Sequence, residues 1–158
     1  MSLYKIMLVD DEEEVRKSII KKIDWADAGF EVVGDAENGE EALEKLELLE
    51  PDVVVTDIRM PYMDGLALTE KIRQRYPSTK VVIFSGFDDF EYAQRAIQLN
   101  VTEYILKPVN VEEMTAILKK IRRNLDEEIA MRRDVDLLRE RYVASLPLMR
   151  EHFLNTLV

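Results

Sequence analysis

The chain has 158 residues, a formal net charge of −10, 47% apolar residues and no cysteine. That length and apolar share suit one core-bearing domain with an appendage, and the missing cysteine excludes disulfide scaffolds, thiolate zinc sites and thiol nucleophiles. Residues 1–118 hold 13 Lys/Arg against 25 Asp/Glu, a body that repels nucleic-acid phosphate, so this fragment is expected to bind no DNA or RNA itself.

Taken in chain order, short apolar runs alternate with segments of helical period. Ile6-Met7-Leu8-Val9 reads as a buried strand, and Val15/Ile19/Ile23 as the stripe of a following helix. Glu31-Val32-Val33-Gly34-Asp35 is a weaker, mixed strand, and nothing local explains the glycine inside it. Ala42/Leu46/Leu49 is a second helix, Val53-Val54-Val55 a third strand, and Asp64-Gly65 the cap and start of the next helix. Val81-Val82-Ile83-Phe84, the Phe90/Ala93/Ile97 stripe and Tyr104-Ile105-Leu106 complete the alternation. A last helix starts near Val111 and meets no stop signal before Pro147.

The pattern is βαβαβαβαβα from residue 4 to about 124. Continuous β-branched runs suit strands buried on both faces. The expected fold is therefore α/β, a doubly wound five-stranded parallel sheet with a C-terminal helical extension. The expected division is a domain over 1–124 and a helical linker over 125–158. Within the linker, Met131, Val135, Leu138 and Tyr142 keep heptad-like spacing. Two such turns leave two readings open, a solvated connector and a dimer-forming helix.

In open α/β sheets ligands bind beyond the carboxyl ends of the strands. The residues placed there are Asp10 and Asp11 after the first run, Asp57 after the third, Ser85 after the fourth and Lys107 after the fifth. If the first and third strands are neighbours, three carboxylates converge on one pocket. Such a cluster needs raised pKa values or a cation. An all-oxygen site with room for water suits Mg²⁺. A metal, a lysine, a hydroxyl and a carboxylate nucleophile together make a phosphoryl-transfer set.

The segments Met7-Leu8-Val9-Asp10-Asp11-Glu12, Val54 through Gly65, Phe84-Ser85-Gly86 and Tyr104-Ile105-Leu106-Lys107-Pro108-Val109 together resemble the receiver domain of bacterial two-component response regulators over about residues 4–124. The resemblance implies strand order 2-1-3-4-5. It implies that Asp57 accepts the phosphoryl group. Asp11 and Asp57 would ligate Mg²⁺ directly, Asp10 would act mainly through water, and the backbone carbonyl of Arg59 would complete the protein ligands. Lys107 and Ser85 would contact the transferred phosphoryl oxygens, and Tyr104 would be the aromatic that moves with Ser85. It implies a cis bond before Pro108.

The donor would be a sensor histidine kinase, and the protein a switch with slow self-dephosphorylation rather than an enzyme proper. A homodimer on phosphorylation belongs to the same expectation, as does an output surface of the fourth helix, fifth strand and fifth helix that includes Phe87, Tyr92 and Tyr104. Lys22-Ile23-Asp24-Trp25, Gly86 through Ala93 and the tail Leu146 through Leu154 resemble receivers that precede AraC-type DNA-binding domains. That implies transcriptional output through an effector domain absent from this chain.

Several residues carry blander expectations. Glu12, Glu13 and Glu14 suit the positive end of a helix dipole. Trp25, Met60 and Met63 suit packing, and His152, the single histidine, has no chemical role and leaves no histidine metal cluster. No apolar run reaches the roughly 18 residues of a membrane span, and no secretory signal is present, so a cytoplasmic protein without a membrane partner is expected. A haloacid-dehalogenase-type phosphatase would want an aspartate two residues after Asp57, where Arg59 stands. A flavodoxin-like or dinucleotide domain would want a glycine- or hydroxyl-rich loop after the first strand, where five acids stand. A degenerate receiver serving only as an interaction module is the remaining alternative.

Overall fold

A computed structural model describes the backbone of residues 3–86, 90–108 and 110–157, and their side chains except at 90, 92, 93 and 144–157. Phe87, Val109 and the side chains of Tyr92 and His152 lie outside the described residues. The elements in order are β1 (Tyr4–Val9), α1 (Glu13–Lys22), a single helical turn (Trp25–Ala28), β2 (Phe30–Ala36), α2 (Gly39–Leu49), β3 (Val53–Asp57), α3 (Gly65–Arg75), β4 (Lys80–Ser85), α4 (Phe90–Gln98), β5 (Glu103–Leu106) and α5 (Val111–Leu157). All strand pairs are parallel, and the sheet order is β2-β1-β3-β4-β5. Residues up to 122 form one compact unit and residues from 123 a second.

Burial explains the strands. All five residues of β3 are buried, as a central strand covered on both faces requires. Alternation sends Met7 and Val9 of β1 to one face, where they join Val54, Val81, Ile83 and Leu46 in a buried cluster. Ile6 and Leu8, equally buried, point to the other face. The first turns of α5 cover apolar area as well, with Met114, Leu118 and Ile121 buried.

Side-chain caps fix the helix starts. Asn38 accepts from the Glu41 N–H at 2.9 Å, Asp64 from Ala67 at 2.8 Å and Asn110 from Glu113 at 3.1 Å. The turn Trp25–Ala28 was not legible in the hydrophobic pattern. It is held by Asp24, which accepts from the Asp27 N–H at 3.2 Å, and closed by Gly29 in the left-handed region. Trp25 is a packing residue, 8% exposed, and its indole N–H donates to the Ile20 carbonyl.

Gly34 now has a reason. The β1–β2 register steps from Ile6↔Val32 to Met7↔Gly34, a bulge in β2, and a Cβ at Gly34 would lie 2.7 Å from Leu49 Cδ1. Bulges and close approaches are where a strand keeps a glycine. The expected stop at Pro147 is corrected: α5 runs through it to Leu157. A proline inside a helix forfeits its own N–H bond, here to the Val143 carbonyl, and crowds that carbonyl, which can kink a helix rather than end it, so the turns on either side remain helical.

Candidate functional site

Strand register builds the site. β1 runs beside β3 with Val9 opposite Thr56, so the next residues, Asp10 and Asp57, sit side by side at the carboxyl edge. On the other side of β3, Asp57 is opposite Phe84 of β4, and Ser85 is opposite Leu106 of β5. Lys107 therefore leaves the sheet at the same edge, its N–H donating to the Ser85 carbonyl at 2.7 Å. The Lys107–Pro108 bond is cis.

The side chains converge as the strand ends dictate. Asp10 and Asp57 are buried, and the Lys107 ammonium lies 3.3 Å from Oδ2 of each. The other carboxylate oxygens are held by backbone: the Ile58 N–H donates to Asp57 Oδ1 and the Glu12 N–H to Asp10 Oδ1, both at 2.8 Å. Lys107 also lies 4.9 Å from the centre of the Phe84 ring.

Burial, reinforced by the Asp10 charge, pushes the Asp57 carboxyl up to about 6 against the pull of Lys107 and the Ile58 N–H. Asp10 is likewise raised, chiefly by burial. Burial alone would lower the Lys107 ammonium, but the carboxylates of Asp57 and Asp10 outweigh it and raise the group. One lysine thus faces two buried carboxylates.

Beside them lies a cavity of about 390 Å³ lined by Asp11, Ile58, Arg59, Met60 and Asp64. Asp10, Asp11 and Glu12 bring carboxylate oxygens within 4.8 Å of one another. Glu12, expected only to face solvent, is exposed but belongs to that cluster. The donors are all oxygen, the pocket keeps negative charge beyond what Lys107 offsets, and open volume adjoins them. This set fits a hard divalent ion with room for its waters.

Ser85 is fully buried, and its hydroxyl is hydrogen-bonded to the Tyr104 hydroxyl. Tyr104 packs against the buried cluster, as do Met60 and Met63.

Two residues shape the pocket in ways the sequence did not reveal: Arg16, which it passed over, and Gly65, which it offered only as a helix start. Arg16 is buried on α1, where its guanidinium bonds the Asp10 carbonyl and pairs with Asp35 at 2.9 Å. Its only local signal is a basic residue beside the Val15/Ile19 stripe. Gly65 is the second. A Cβ there would stand 2.0 Å from the Asp57 carbonyl oxygen, and its N–H donates to the Ile58 carbonyl at 2.7 Å. The start of α3 is thereby pressed onto the backbone that carries Asp57.

A larger apolar groove, about 750 Å³, runs along α1 past Val15, Ser18, Ile19 and Lys22 to Lys107, Pro108 and Val111. No helix among the described residues is long and apolar enough to cross a membrane.

Comparison with known proteins matches residues 6–119 to the response regulator receiver domain. The transcriptional regulatory protein YesN of Bacillus subtilis is 40% identical over 119 residues, which cover 75% of this chain and 32% of YesN. The transcriptional regulatory protein HptR of Staphylococcus aureus is 36% identical over 126 residues, covering 80% of this chain and 49% of HptR. The chain thus spans about a third to a half of the curated relatives it matches.

Among solved structures, the receiver domain of AraT, a response regulator from Geobacillus stearothermophilus, superposes with a TM-score of 0.76 at 39% identity, covering 80% of this chain and 98% of that one. A two-component transcriptional regulator, AraC, from Clostridium phytofermentans gives 0.69 at 36% identity, over 75% and 92% of the two chains.

Proposed function

The chain belongs to the response regulator receiver family, and from that premise we propose that it is a phosphorylation-driven switch in which Asp57 takes a phosphoryl group from the phosphohistidine of a sensor kinase. One observation carries the reading: a single lysine bridges two buried carboxylates, 3.3 Å from each, at the edge where the strands end.

Asp57 Oδ2 would form the bond to phosphorus while the bond from phosphorus to the donor imidazole nitrogen breaks, leaving an acyl phosphate and a neutral imidazole. The Ile58 N–H holds Oδ1 and so aims Oδ2 outward. Lys107 is already in reach of Asp57 and turns from the carboxylate to the equatorial phosphoryl oxygens as charge spreads onto them. Asp10, Asp11, Asp57 and the Arg59 carbonyl would hold Mg²⁺, which when bound supplies charge neutralisation for the incoming phosphoryl group. Water attacking the phosphorus later would break its bond to Asp57 Oδ2, releasing inorganic phosphate and the free carboxylate.

The readout rests on Ser85 and Tyr104. A phosphoryl group on Asp57 offers the Ser85 hydroxyl a dianionic acceptor, stronger than the Tyr104 hydroxyl that it now meets. Losing that bond frees Tyr104 to repack, which biases the β4–α4 and β5 region between two states. The apolar groove along α1 opens beside Lys107 and gives a helical kinase surface somewhere to dock. Residues 1–124 would be the receiver and 125–158 the connector. YesN, HptR and the AraC regulator are by name transcriptional regulators, which supports output through an AraC-type DNA-binding domain that lies outside this chain. The location would be the cytoplasm.

The test is direct. Incubate the chain with Mg²⁺ and acetyl phosphate, then record intact mass. The wild type gains a single phosphoryl group and Asp57→Asn gains none; an adduct that persists in Asp57→Asn, or no adduct with Mg²⁺, overturns the reading.

A further inference from the structure

We propose that residues 127–142 form one strand of a parallel, in-register coiled coil with a second copy of this chain. The stretch is continuous helix inside α5. Met131, Val135, Leu138 and Tyr142, spaced four, three and four apart, fall on one stripe. They are 68%, 46%, 63% and 56% exposed. Assigning Met131 and Leu138 to the d positions of a heptad and Val135 and Tyr142 to the a positions makes them the knobs of a two-stranded seam, with the β-branched residue at a and leucine at d.

The charges flanking this seam choose the partner and its direction. Glu127, Asp134 and Arg141 occupy the g positions, and Arg132 and Arg139 the e positions; all five are exposed. In a parallel pair each g residue faces the e residue five positions on in the other helix. Glu127 would then face Arg132 of the second copy, and Asp134 would face its Arg139, twice each by symmetry. An antiparallel pair sets g against g and e against e, which brings Arg132 to the second copy's Arg139 while Asp134 meets its Arg141. Only the parallel orientation therefore sets both Arg132 and Arg139 against acids, and the antiparallel one sets them against each other. A foreign helix would need the matching code, whereas a second copy carries it by construction of the sequence.

The seam is short. Glu128 stands at the a position before Met131, so the apolar seam opens at Met131. Two heptads give weak, concentration-dependent pairing, which any further contact between the joined proteins would reinforce through effective concentration.

The absence of cysteine in the chain makes the test clean. Val135→Cys places one thiol in the seam and Asp136→Cys places one on the outer face. Under mild oxidation of the full chain, Val135→Cys is expected to form a symmetric disulfide dimer about tenfold faster than Asp136→Cys, as opposed a-position thiols come within disulfide reach. Adding Arg132→Glu and Arg139→Glu should slow that cross-link about tenfold, and adding Glu127→Arg and Asp134→Arg as well should restore it.

Equal rates for the two thiols overturn the proposal, as does a charge reversal without effect or one that the compensating pair fails to rescue. Far-UV circular dichroism of each variant checks that the helix is intact. Phosphoryl uptake measured by intact mass on the same samples reports the receiver reading separately, so the failure of either claim is visible without the other.

Discussion

The acidic pocket at the sheet edge and the charged helix beyond residue 123 use ionisable groups in opposite ways. In the pocket, Asp10 and Asp57 are buried beside one lysine; desolvation raises both carboxyls, and the Asp10 charge raises Asp57 further. Along the helix, Glu127, Arg132, Asp134 and Arg139 are solvent-exposed. Charges in the first region acquire a function from the fold of one chain. Charges in the second acquire one only when another surface is laid against them. The first is costly to build and unforgiving of change; the second is cheap and tolerant, and its information lies in spacing.

That contrast sets the scale of expected effects. Lys107→Ala removes the counter-charge of both carboxylates, and phosphoryl uptake from acetyl phosphate should fall about a hundredfold, followed by intact mass against time. A rate within threefold or so of wild type would show that the lysine is incidental.

Gly65→Ala should cost about 3 kcal/mol in urea unfolding, because its Cβ would meet the Asp57 carbonyl, a backbone atom that cannot swing aside. A neutral result would mean that α3 is not pressed against the phosphoacceptor.

The pH dependence of stability in chelator is smaller. Asp57 ionises near 6 when folded against an ordinary aspartate value of 3.8, so the native state binds its proton more tightly than the unfolded state does. Stability is therefore lost as pH rises from about 4 to 6 and stays lost above. Asp57→Asn should match the wild type below that window and exceed it by up to about 2 kcal/mol above it. A difference that does not change with pH would contradict the assigned burial. Smallest of all, Val135→Ala should alter unfolding of the domain by less than about 0.5 kcal/mol, since it lies on an exposed helix face; a large loss would move that residue into the core.

The sheet and the pocket were legible because one physical rule covers both. A strand buried on both faces carries no charge along its apolar run, so the first charged residue after each run marks the carboxyl edge. Asp10, Asp57 and Lys107 are such residues, and the strand order brings them within 3.3 Å of the same ammonium. Ser85 ends β4 at the same edge, although its hydroxyl turns to Tyr104.

What could not be read depended on distant partners. Arg16 is defined by the Asp10 carbonyl and by Asp35 on a different strand. Gly34 is defined by the β1–β2 register and Leu49. The turn Trp25–Ala28 is too short for its period to show, and Pro147 failed as a stop because a proline inside a helix can kink it rather than end it.

The central claim is that Asp57 is the acceptor, and the most direct measurement reads the acyl phosphate at residue resolution. Borohydride reduction of the Mg²⁺ and acetyl phosphate reaction converts an aspartyl phosphate to homoserine, which peptide mass spectrometry can place in the chain. The account predicts homoserine at position 57 and at neither Asp10 nor Asp11. Homoserine at either of those positions, or an unmodified peptide around Asp57 in a chain that has gained a phosphoryl group, would contradict it.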